Sequence, residues 1–554
     1  MSATPKRADH LEALLGSLSD VDNPVGSAAI LDADERAEPL VAGEAVLAAF
    51  DLNAELVPPE HGGRFDRVDH LVEVLRSVYR RDPALGLGYA VGSLIAGVAV
   101  WTAADTEQAA RAARLLLGGG RIAAAFHELA HGNDIAAAEF TATPSDGGFL
   151  LSGRKEVIAG IGRASAAVIF ARTDPSPGPR SHSLLLVEPV PGEPLPRFTT
   201  AGVRGVWLGG VAVDRHPVPE SAVLGRVGGG LETVLKAFQV TRTALPAMAT
   251  GVLDTGLRIA VDHLSTRRLY GGAAIDLPHV RSVLAAAFAD LLRAEAFATV
   301  AARALHLVPG SASVYSAAVK IEVSRLLLDA MDRLAELLGA HSYLREGPSG
   351  LFQKLLRDLA PVGFGHIARA TAQLSLLPQL PTLARRSWAV PGPVPVDLLD
   401  LDADLPPLRY DRLALHASGR DPLTAGHGAL LDSLPPGPVR AAAAADRAEL
   451  AELARVCAGL PVAELGADAR PAHYDLVTRY VLLLVRTACL GVWRHAPPGD
   501  FLADPAWPLA ALHRCAPGRT TPLPGPVEDA LVTELLDRHG GNRSFGGTAR
   551  PLAS

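Results

Sequence analysis

The stretch FLLSGRKEVIAGIGRASAAVIFAR, residues 149–172, decides the fold because its pattern differs from that of the sequence around it. Its apolar runs are short, as at Phe149–Ser152 and Ala166–Arg172, and a similar run follows at Ser183–Val187. Clusters of Gly, Pro, Ser and Asp separate these runs, which is typical of strands in an antiparallel barrel or sandwich. We therefore predict an antiparallel β domain over residues 124–227.

Helical periodicity flanks this β domain on both sides. Before it, Asp69–Tyr79 places its apolar side chains on one helical face, so residues 1–123 are predicted to form an N-terminal helical domain. After it, residues 228–385 are predicted to form a four-helix bundle. The long helices predicted there are Leu231 through Pro246 to Thr266, Leu277–Leu307, Ser311–Leu338 and about Ile367–Leu377. The predicted fold class is α+β, mostly α.

The last part of the chain has a different composition. Residues 386–408 are rich in Pro and Asp and predict a linker. Residues 409–554 predict a helical C-terminal extension. The final stretch GGNRSFGGTARPLAS, residues 540–554, has the composition of a mobile tail.

Charge and cysteine content exclude several functions. The chain has 554 residues, and 52 basic against 59 acidic residues give a net charge of −7. Without a basic excess we expect no nucleic-acid partner and no membrane partner. Cys457, Cys489 and Cys515 form no CxxC pair, which predicts a reducing, cytoplasmic location. No apolar signal core follows the N-terminus, and the apolar run Tyr480–Trp493 is too short for a membrane span and contains Arg486, which predicts a buried helix.

Six segments resemble, in the same order, motifs of the acyl-CoA dehydrogenase and acyl-CoA oxidase superfamily. They are PPEHGG (58–63), RIAAAFHELAHGNDI (121–135), the stretch 149–172, LGRVGGG (224–230), TRRLYGGAAIDLPHV (266–280) and GAHSYLREGPSGLFQKLLRD (339–358). The part of the chain beyond residue 386 resembles the extra helical domain of acyl-CoA oxidases and of some long bacterial relatives.

The resemblance implies an FAD enzyme that acts on an acyl thioester, carried by CoA or by an acyl carrier protein. In this family a base removes the α-proton while the flavin accepts the β-hydride. The resemblance also implies a homodimer or homotetramer, with an electron-acceptor protein or O₂ as the oxidant. The departures from the family pattern lie around the predicted flavin site, and the abundance of Ala, Leu, Gly, Pro and Arg is typical of a GC-rich genome. Together these two features indicate specialised metabolism.

The resemblance assigns the cofactor-binding residues as well. Arg267 matches an arginine that pairs with the FAD pyrophosphate, beside Tyr270, and Gly339 and Ala340 match a glycine pair through which a second subunit approaches the cofactor. The other predicted cofactor-binding residues are Phe126, His127, Gly132, Asn133, Val157 and Ala159. Four of these depart from the family pattern, with His127 in place of a threonine, Asn133 of a serine, Val157 of a flavin-stacking aromatic residue and Ala159 of a threonine.

The catalytic base is the largest departure from the family. In most members it is a glutamate a few residues after an Arg-Asp pair, and counting without gaps from the pair at 357–358 puts His366 at that position. In other members the glutamate precedes an arginine on an earlier helix, where this chain has Thr241. An imidazole with an ordinary pKa is a competent base near neutral pH, so His366 is the predicted catalytic residue. His131 and His127 are further candidates.

Three alternatives remain open from the sequence. Residues 127–131, HELAH, match the HExxH zinc motif, in which Glu128 would be the general base on a helix. No third ligand is evident, so we predict no metal site. The same fold also supports non-redox or oxygenation chemistry, or a catalytically inactive subunit that binds acyl chains.

Overall fold

A computed structural model describes residues 3–516 and 522–554. These residues divide into two compact units. The first unit runs to Thr241, except for Tyr79–Arg81, and the second comprises those three residues together with Arg242–Ser554. The predicted domain boundaries differ from this division and stay predictions.

The first part of the chain is helical, and one helix shows how its ends are determined. The helices are α1 Ala3–Leu15, α2 Ser27–Glu35, α3 Val41–Ala49, α4 Val68–Arg81, α5 Pro83–Gly86, α6 Gly92–Ala103 and α7 Thr106–Leu117. Helix α7 begins with a capping box, in which the Asp105 carboxylate accepts from the backbone N–H of Gln108 and the Gln108 side chain accepts from the backbone N–H of Asp105. It ends before Gly119, whose φ of +82° suits glycine.

The strands that follow form one eight-stranded sheet. They are β1 Ile122–Ala125, β2 Thr141–Ser145, β3 Gly148–Ala159, β4 Ala166–Arg172, β5 His182–Val187, β6 Glu193–Leu195, β7 Leu208–Pro219 and β8 Val223–Leu224. The strand order is β6-β7-β3-β2-β4-β5-β8, with β1 paired to β4. Phe140, Leu151, Ile169 and Leu185 are among the side chains that form its buried core.

The sheet is mixed, which corrects the prediction of a wholly antiparallel one. Strand β1 runs parallel to β4 from the pair Ile122 and Ala166 onwards, and β2 meets β4 in parallel at the pair Thr141 and Arg172. The other named pairs are antiparallel. Parallel pairing needs a long connection between its strands, so the local spacing of apolar runs does not reveal it.

Long helices follow the sheet, as predicted. They and the shorter helices beside them are α8 Gly230–Met248, α9 Thr250–Thr266, α10 Pro278–Leu307, α11 Ala312–Leu338, α12 Gly347–Leu359, α13 Pro361–Phe364, α14 Arg369–Leu376 and α15 Leu380–Leu383. Helix α12 was not predicted, and α14 is shorter than the predicted Ile367–Leu377 helix. A two-stranded hairpin, β9 Arg268–Leu269 and β10 Gly272–Ala273, connects α9 to α10.

The C-terminal extension is helical, also as predicted. Its helices are α16 Val396–Leu399, α17 Pro422–Ala425, α18 His427–Ser433, α19 Pro438–Ala442, α20 Asp446–Ala458, α21 Pro471–His495, α22 Ala506–Arg514 and α23 Gly525–Gly540.

Two segments with the composition of a linker and of a mobile tail are packed instead. In the predicted linker 386–408, buried Arg303 of α10 donates to the carbonyls of Asp397, Leu401 and Ala403 at 2.8, 3.2 and 2.8 Å. In the predicted tail, Phe545 is fully buried. Backbone hydrogen bonds to a buried arginine stabilise a Pro-rich segment that has few of its own.

Three helical stretches are long and apolar enough to cross a membrane by length and composition alone: Pro83–Ala103, Gly230–Thr266 and Pro471–His495. The protein buries 72%, 89% and 72% of their most apolar windows. The run Tyr480–Trp493 is predicted to be a buried helix, and it lies within the largely buried helix α21, which at 25 residues is longer than the run itself.

Candidate functional site

In the first unit, a buried ion pair fixes the loop 126–133, which carries four of the predicted cofactor-binding residues. Lys155 on β3 is fully buried, and its Nζ donates to the Phe126 carbonyl at 3.0 Å and to Glu128 Oε1 at 2.8 Å. The Glu128 carboxylate also accepts from the backbone N–H groups of Glu139 and Phe140. Burial raises the pKa of Glu128, but Lys155 and the two amides outweigh it and lower that pKa overall.

These bonds decide the role of the HELAH segment. Residues 129–133 form turns, so the two histidines do not share the face of a helix. Glu128 is held by Lys155 and by backbone amides, so it is a structural carboxylate here and not a free base. Within 3–516 and 522–554 no three His, Cys, Asp or Glu side chains form a group that could hold a metal ion. The geometry that the zinc alternative requires is therefore missing from this segment.

The same loop brings together several predicted cofactor residues. Phe126 is buried and its ring lies 5.9 Å from that of Phe238. His127 stacks on the same Phe238 ring, and its Nδ1 lies 3.2 Å from the carbonyl of Gly132. Gly132 has a φ of +53°, which turns the chain towards Asn133.

Val157 and Ala159 lie at the end of β3. Ile158 between them is buried, and a register shift interrupts the strand between Lys155 and Ile158. Val157 and Ala159 are both partly exposed. The backbone N–H of Leu129 donates to Glu156 at 3.3 Å, which places the loop beside this end of β3. The loop that carries Phe126, His127, Gly132 and Asn133 is therefore joined to the end of β3 that carries Val157 and Ala159.

In the second unit, Arg267 forms a cluster with two histidines that the sequence analysis missed. Its Nη1 lies 3.3 Å from His263 Nε2 and 3.3 Å from His341 Nδ1. Because arginine can only donate, both histidine nitrogens accept, and each neutral ring carries its proton on the other nitrogen. Burial, and then the neighbouring His341 and Arg267, lower the pKa of His263. The spacing of His263 and Arg267, one helical turn apart, is the sequence feature that predicts this contact.

This cluster also locates Gly339 and Ala340, which precede His341 in a short 3₁₀ turn. Gly339 has a φ of +56°, and a Cβ placed there would meet no atom within 4 Å. The backbone is thus open to an approaching group. Tyr270 has a φ of +52° and is 94% exposed. It lies in the turn of the hairpin, and none of the described residues forms a hydrogen bond or ion pair with its side chain.

The Arg267 cluster has the properties of a phosphate site. Arg267 is partly buried, and none of the described residues offers it a carboxylate. A partly buried guanidinium without a carboxylate favours an external anion, and its planar fork matches phosphate oxygens. The residues present therefore fit the pyrophosphate of a dinucleotide.

His366 lies elsewhere in the second unit, where a buried lysine fixes the backbone. It is partly exposed, has a φ of +70°, and lies between α13 and α14. Lys320 of α11 is 2% exposed, and its Nζ donates to the carbonyls of Val362 and Gly365 at 2.6 and 2.8 Å. Burial, together with Arg242, lowers the pKa of Lys320 to about 7. Lys320 thus anchors the loop immediately before His366.

Lys320 was also missed by the sequence analysis, although a feature of the sequence indicates it. It is a single lysine within the buried stretch 312–323 of α11, where small and apolar residues dominate. From Lys320 to Gly339 the chain advances 19 residues, about 28 Å along a helix axis. His366 and the Arg267 cluster therefore lie at different levels of the bundle.

Carboxylates close to these positions are already paired. Lys354 Nζ lies 2.6 Å from Asp358 Oδ2, and both side chains are buried. Thr241, at the alternative base position, is buried and donates to the Phe238 carbonyl at 3.4 Å. Neither residue is a free general base.

Comparisons with known proteins agree with this architecture. The family "Acyl-CoA dehydrogenase, C-terminal domain" matches residues 228–364. Isovaleryl-CoA dehydrogenase from Oryza sativa is 23% identical over 329 residues, covering 58% of this chain and 78% of the rice protein. The acyl-CoA dehydrogenase of Bacillus subtilis is 26% identical over 319 residues, covering 54% of this chain and 79% of its own.

Solved structures extend the likeness to the C-terminal extension. An acyl-CoA dehydrogenase from Bacillus anthracis, solved with FAD, superposes with a TM-score of 0.75 at 15% identity and covers 97% of this chain and 95% of its own. The prolyl acyl carrier protein oxidase AnaB superposes with a TM-score of 0.61 at 18% identity, covering 68% of this chain and 97% of its own. The described residues thus have the fold of these structures, including the helical region beyond residue 386. Residues 228–364 match the acyl-CoA dehydrogenase C-terminal domain, and the chain is similar to acyl-CoA dehydrogenases over more than half of its length.

Proposed function

We propose that this protein is an FAD-dependent oxidoreductase that introduces an α,β double bond into an acyl thioester. The Arg267 cluster carries the proposal, because it presents a cation without a carboxylate partner among the described residues, beside the open backbone of Gly339. The solved Bacillus anthracis relative is complexed with FAD, which supports the same cofactor here.

Each unit contributes its own residues to cofactor binding. In the second unit Arg267, Gly339 and Ala340 would hold the pyrophosphate of a bound FAD. In the first unit Val157 and Ala159, with Phe126, His127, Gly132 and Asn133, would hold a flavin ring. When bound, FAD supplies the acceptor for the hydride that leaves the β-carbon. A homodimer or homotetramer is part of the proposal, because Gly339 and Ala340 match the glycine pair through which a second subunit approaches the cofactor in the family that the chain resembles.

His366 removes the α-proton in this proposal. Its unprotonated ring nitrogen takes the proton and becomes an imidazolium, so the group is active above its pKa. Lys320 is a positioning residue, since it holds the carbonyl of Gly365 and so orients the following residue. The short-lived negative charge on the thioester oxygen requires donors as well, and backbone N–H groups suit that task.

The carrier and the oxidant are proposed from relatives. The neighbour AnaB is a prolyl acyl carrier protein oxidase, and another neighbour, PigA, was solved with FAD and proline. Other relatives and neighbours are named for CoA esters, such as isovaleryl-CoA and glutaryl-CoA. The proposed substrate is therefore an acyl thioester carried by CoA or by an acyl carrier protein, and the proposed setting is specialised metabolism. O₂ or an electron-transferring flavoprotein accepts the electrons, and the location is the cytoplasm.

Absorption spectroscopy tests the cofactor first. We expect the purified protein to show visible flavin bands, either as isolated or after addition of FAD, and the variant Arg267→Ala to retain less flavin. The control Arg268→Ala changes the neighbouring exposed arginine and should retain it. A colourless protein that ignores added FAD would refute the redox proposal and favour the non-redox or inactive alternatives.

Exchange of the substrate α-proton with solvent tests the base separately. The variant His366→Ala should lose exchange by about 10²–10⁴-fold, the usual contribution of a general base, while its flavin spectrum stays normal. The exposed His416 offers a matched control, His416→Ala, which should exchange normally. Unchanged exchange in His366→Ala would show that another group is the base.

A further inference from the structure

A cavity in the second unit has no role in the proposed reaction. Its volume is about 390 Å³. Its walls are the turn Val308–Ser311 between α10 and α11, the pair Arg386 and Ser387, and the segment Gly419–Pro422. We call it the Arg386/Arg420 cavity. Its volume lies within the range of about 300–1,000 Å³ that is typical of small-molecule sites.

Both arginines of this cavity lack a carboxylate partner among the residues that the structure describes. Arg386 makes a single long contact, 3.5 Å from Nη1 to the carbonyl of Ser418. Arg420 has no side-chain polar partner within the described ranges. Most other arginines of the extension are paired, as Arg409 is with Asp411 and Arg479 with Glu449. Two unpaired cations at one cavity therefore mark it as a candidate anion site.

Two glycines let these arginines lie against the backbone. A Cβ on Gly310 would come within 2.8 Å of Arg420 Nη2. A Cβ on Gly419, whose φ is +81°, would come within 2.8 Å of Arg386 Cδ. Contacts below 3.0 Å require a shift, so any larger residue at either position would displace an arginine. The two glycines therefore leave the room that these exposed side chains occupy at the cavity.

The buried wall of the cavity is rigid because its one carboxylate is fully used. Asp421 is 1% exposed and accepts from Tyr315 Oη at 2.8 Å, Trp388 Nε1 at 3.1 Å and Tyr480 Oη at 2.6 Å. Ser387 Oγ also accepts from the backbone N–H of Asp421 at 3.0 Å. With its oxygens held by these donors, Asp421 does not neutralise Arg386 or Arg420 by pairing with them.

We propose that the Arg386/Arg420 cavity binds a small molecule through a phosphate or pyrophosphate group. One guanidinium fork satisfies the two oxygens of a carboxylate, whereas two forks at one cavity suit an anion with three or more terminal oxygens. The residues involved differ from the Arg267 cluster and from His366, so this site is additional to the proposed reaction and does not depend on it.

Calorimetric titration of the full-length protein tests the site with three probes. Inorganic pyrophosphate and ADP distinguish an inorganic ligand from a nucleotide, and succinate represents carboxylates. We expect saturable binding of pyrophosphate, ADP or both, and binding of succinate at least about tenfold weaker. Succinate binding as tightly as the phosphate compounds would overturn the assignment of ligand class, and absence of saturable pyrophosphate and ADP binding would overturn the site.

Variants separate this cavity from the proposed cofactor site. Arg386→Gln and Arg420→Gln should each weaken binding about tenfold or more, the usual effect of losing one charge-assisted pair. Arg385→Gln is the matched control, because Arg385 is adjacent and bonds the carbonyl of Ala458 instead. Melting curves verify that each variant is folded. Equal affinity in all variants, or loss confined to Arg267→Gln, would place the ligand elsewhere and refute the proposal.

Discussion

Two buried charges on neighbouring helices of the second unit have opposite surroundings. Asp290 on α10 is fully buried among three arginines, with Arg293 at 3.0 Å, Arg514 at 2.8 Å and Arg333 also in contact. Lys320 on α11 is equally buried, but its ammonium meets two carbonyl oxygens and, among the described residues, no carboxylate.

The pKa values follow from these surroundings. Burial alone raises the pKa of the Asp290 carboxyl, but the three arginines outweigh it and hold that pKa at about 2. Nothing comparable offsets the burial of Lys320, whose pKa falls to about 7. A buried charge that is paired with opposite charges, as Asp290 is, has a structural role. A buried charge without an opposite charge, as Lys320 is, destabilises the fold, and its position next to the candidate base indicates a function.

The largest effect is expected on the free energy of unfolding when Asp290, the charge paired with arginines, is replaced. Asp290→Ala leaves three arginines around a buried gap and should lower the free energy of unfolding by about 3–5 kcal/mol. Denaturant titration measures it. The control is Asp529→Ala. Asp529 is a mostly exposed partner of Arg281, which lies on α10 as Asp290 does, and its loss should lower the free energy of unfolding by about 1 kcal/mol or less. Similar losses in both variants would remove the distinction between the two kinds of charge.

A smaller effect, on activity, is expected for the uncompensated charge. In Lys320→Met the carbonyls of Val362 and Gly365 lose their donor, so the His366 loop shifts and kcat should fall about ten- to hundredfold. Flavin content should stay normal. Lys354→Met is the comparison, because it leaves buried Asp358 without its lysine and should lower stability instead. A normal kcat in Lys320→Met would show that the loop needs no anchor.

The smallest effect is expected on the pH dependence of the free energy of unfolding, to which Asp290 and Lys320 contribute in different pH ranges. The folded pKa of Asp290 lies below its ordinary 3.8, so its contribution is present above that value and is lost as the pH falls towards 2. The folded pKa of Lys320 lies below its ordinary 10.5, so the unfolded chain binds more protons and stability rises as the pH increases from 7 to 10.5. The slope cannot exceed about 1.4 kcal/mol per pH unit.

Denaturant titrations at pH 7, 8 and 9 should show this rise in the native protein and a smaller one in Lys320→Met; equal slopes would mean that Lys320 titrates normally.

The order of helical and β regions could be predicted from the sequence because hydrophobic period is a local property. The parallel pairing of β1 with β4 could not, since it joins strands more than 40 residues apart, such as Ile122 and Ala166. Composition was misleading at 386–408, where the bonds from Arg303 that order the segment come from a distant helix.

The candidate site shows the same limit. His366 and Arg267 follow from motif positions, but their neighbours Lys320 and His341 reach them across the fold, at separations of 45 residues for Lys320 to Gly365 and 74 for Arg267 to His341. Of the missed residues, only His263 has a purely local relation, four residues before Arg267. Local spacing therefore predicts single functional residues better than the contacts that tune them.

The packed C-terminal segment has a consequence for the timing of folding. The backbone N–H of Phe545 donates to Asp254 across 291 residues, and that of Gly547 donates to Glu295 across 252. A ribosome that adds about 5–20 residues per second needs tens of seconds to cover that distance. For that interval helices α9 and α10 have been synthesised but the backbone N–H groups of Phe545 and Gly547 have not, so these two contacts of the second unit form late. Chaperone binding during translation should accordingly concentrate on α9 and α10.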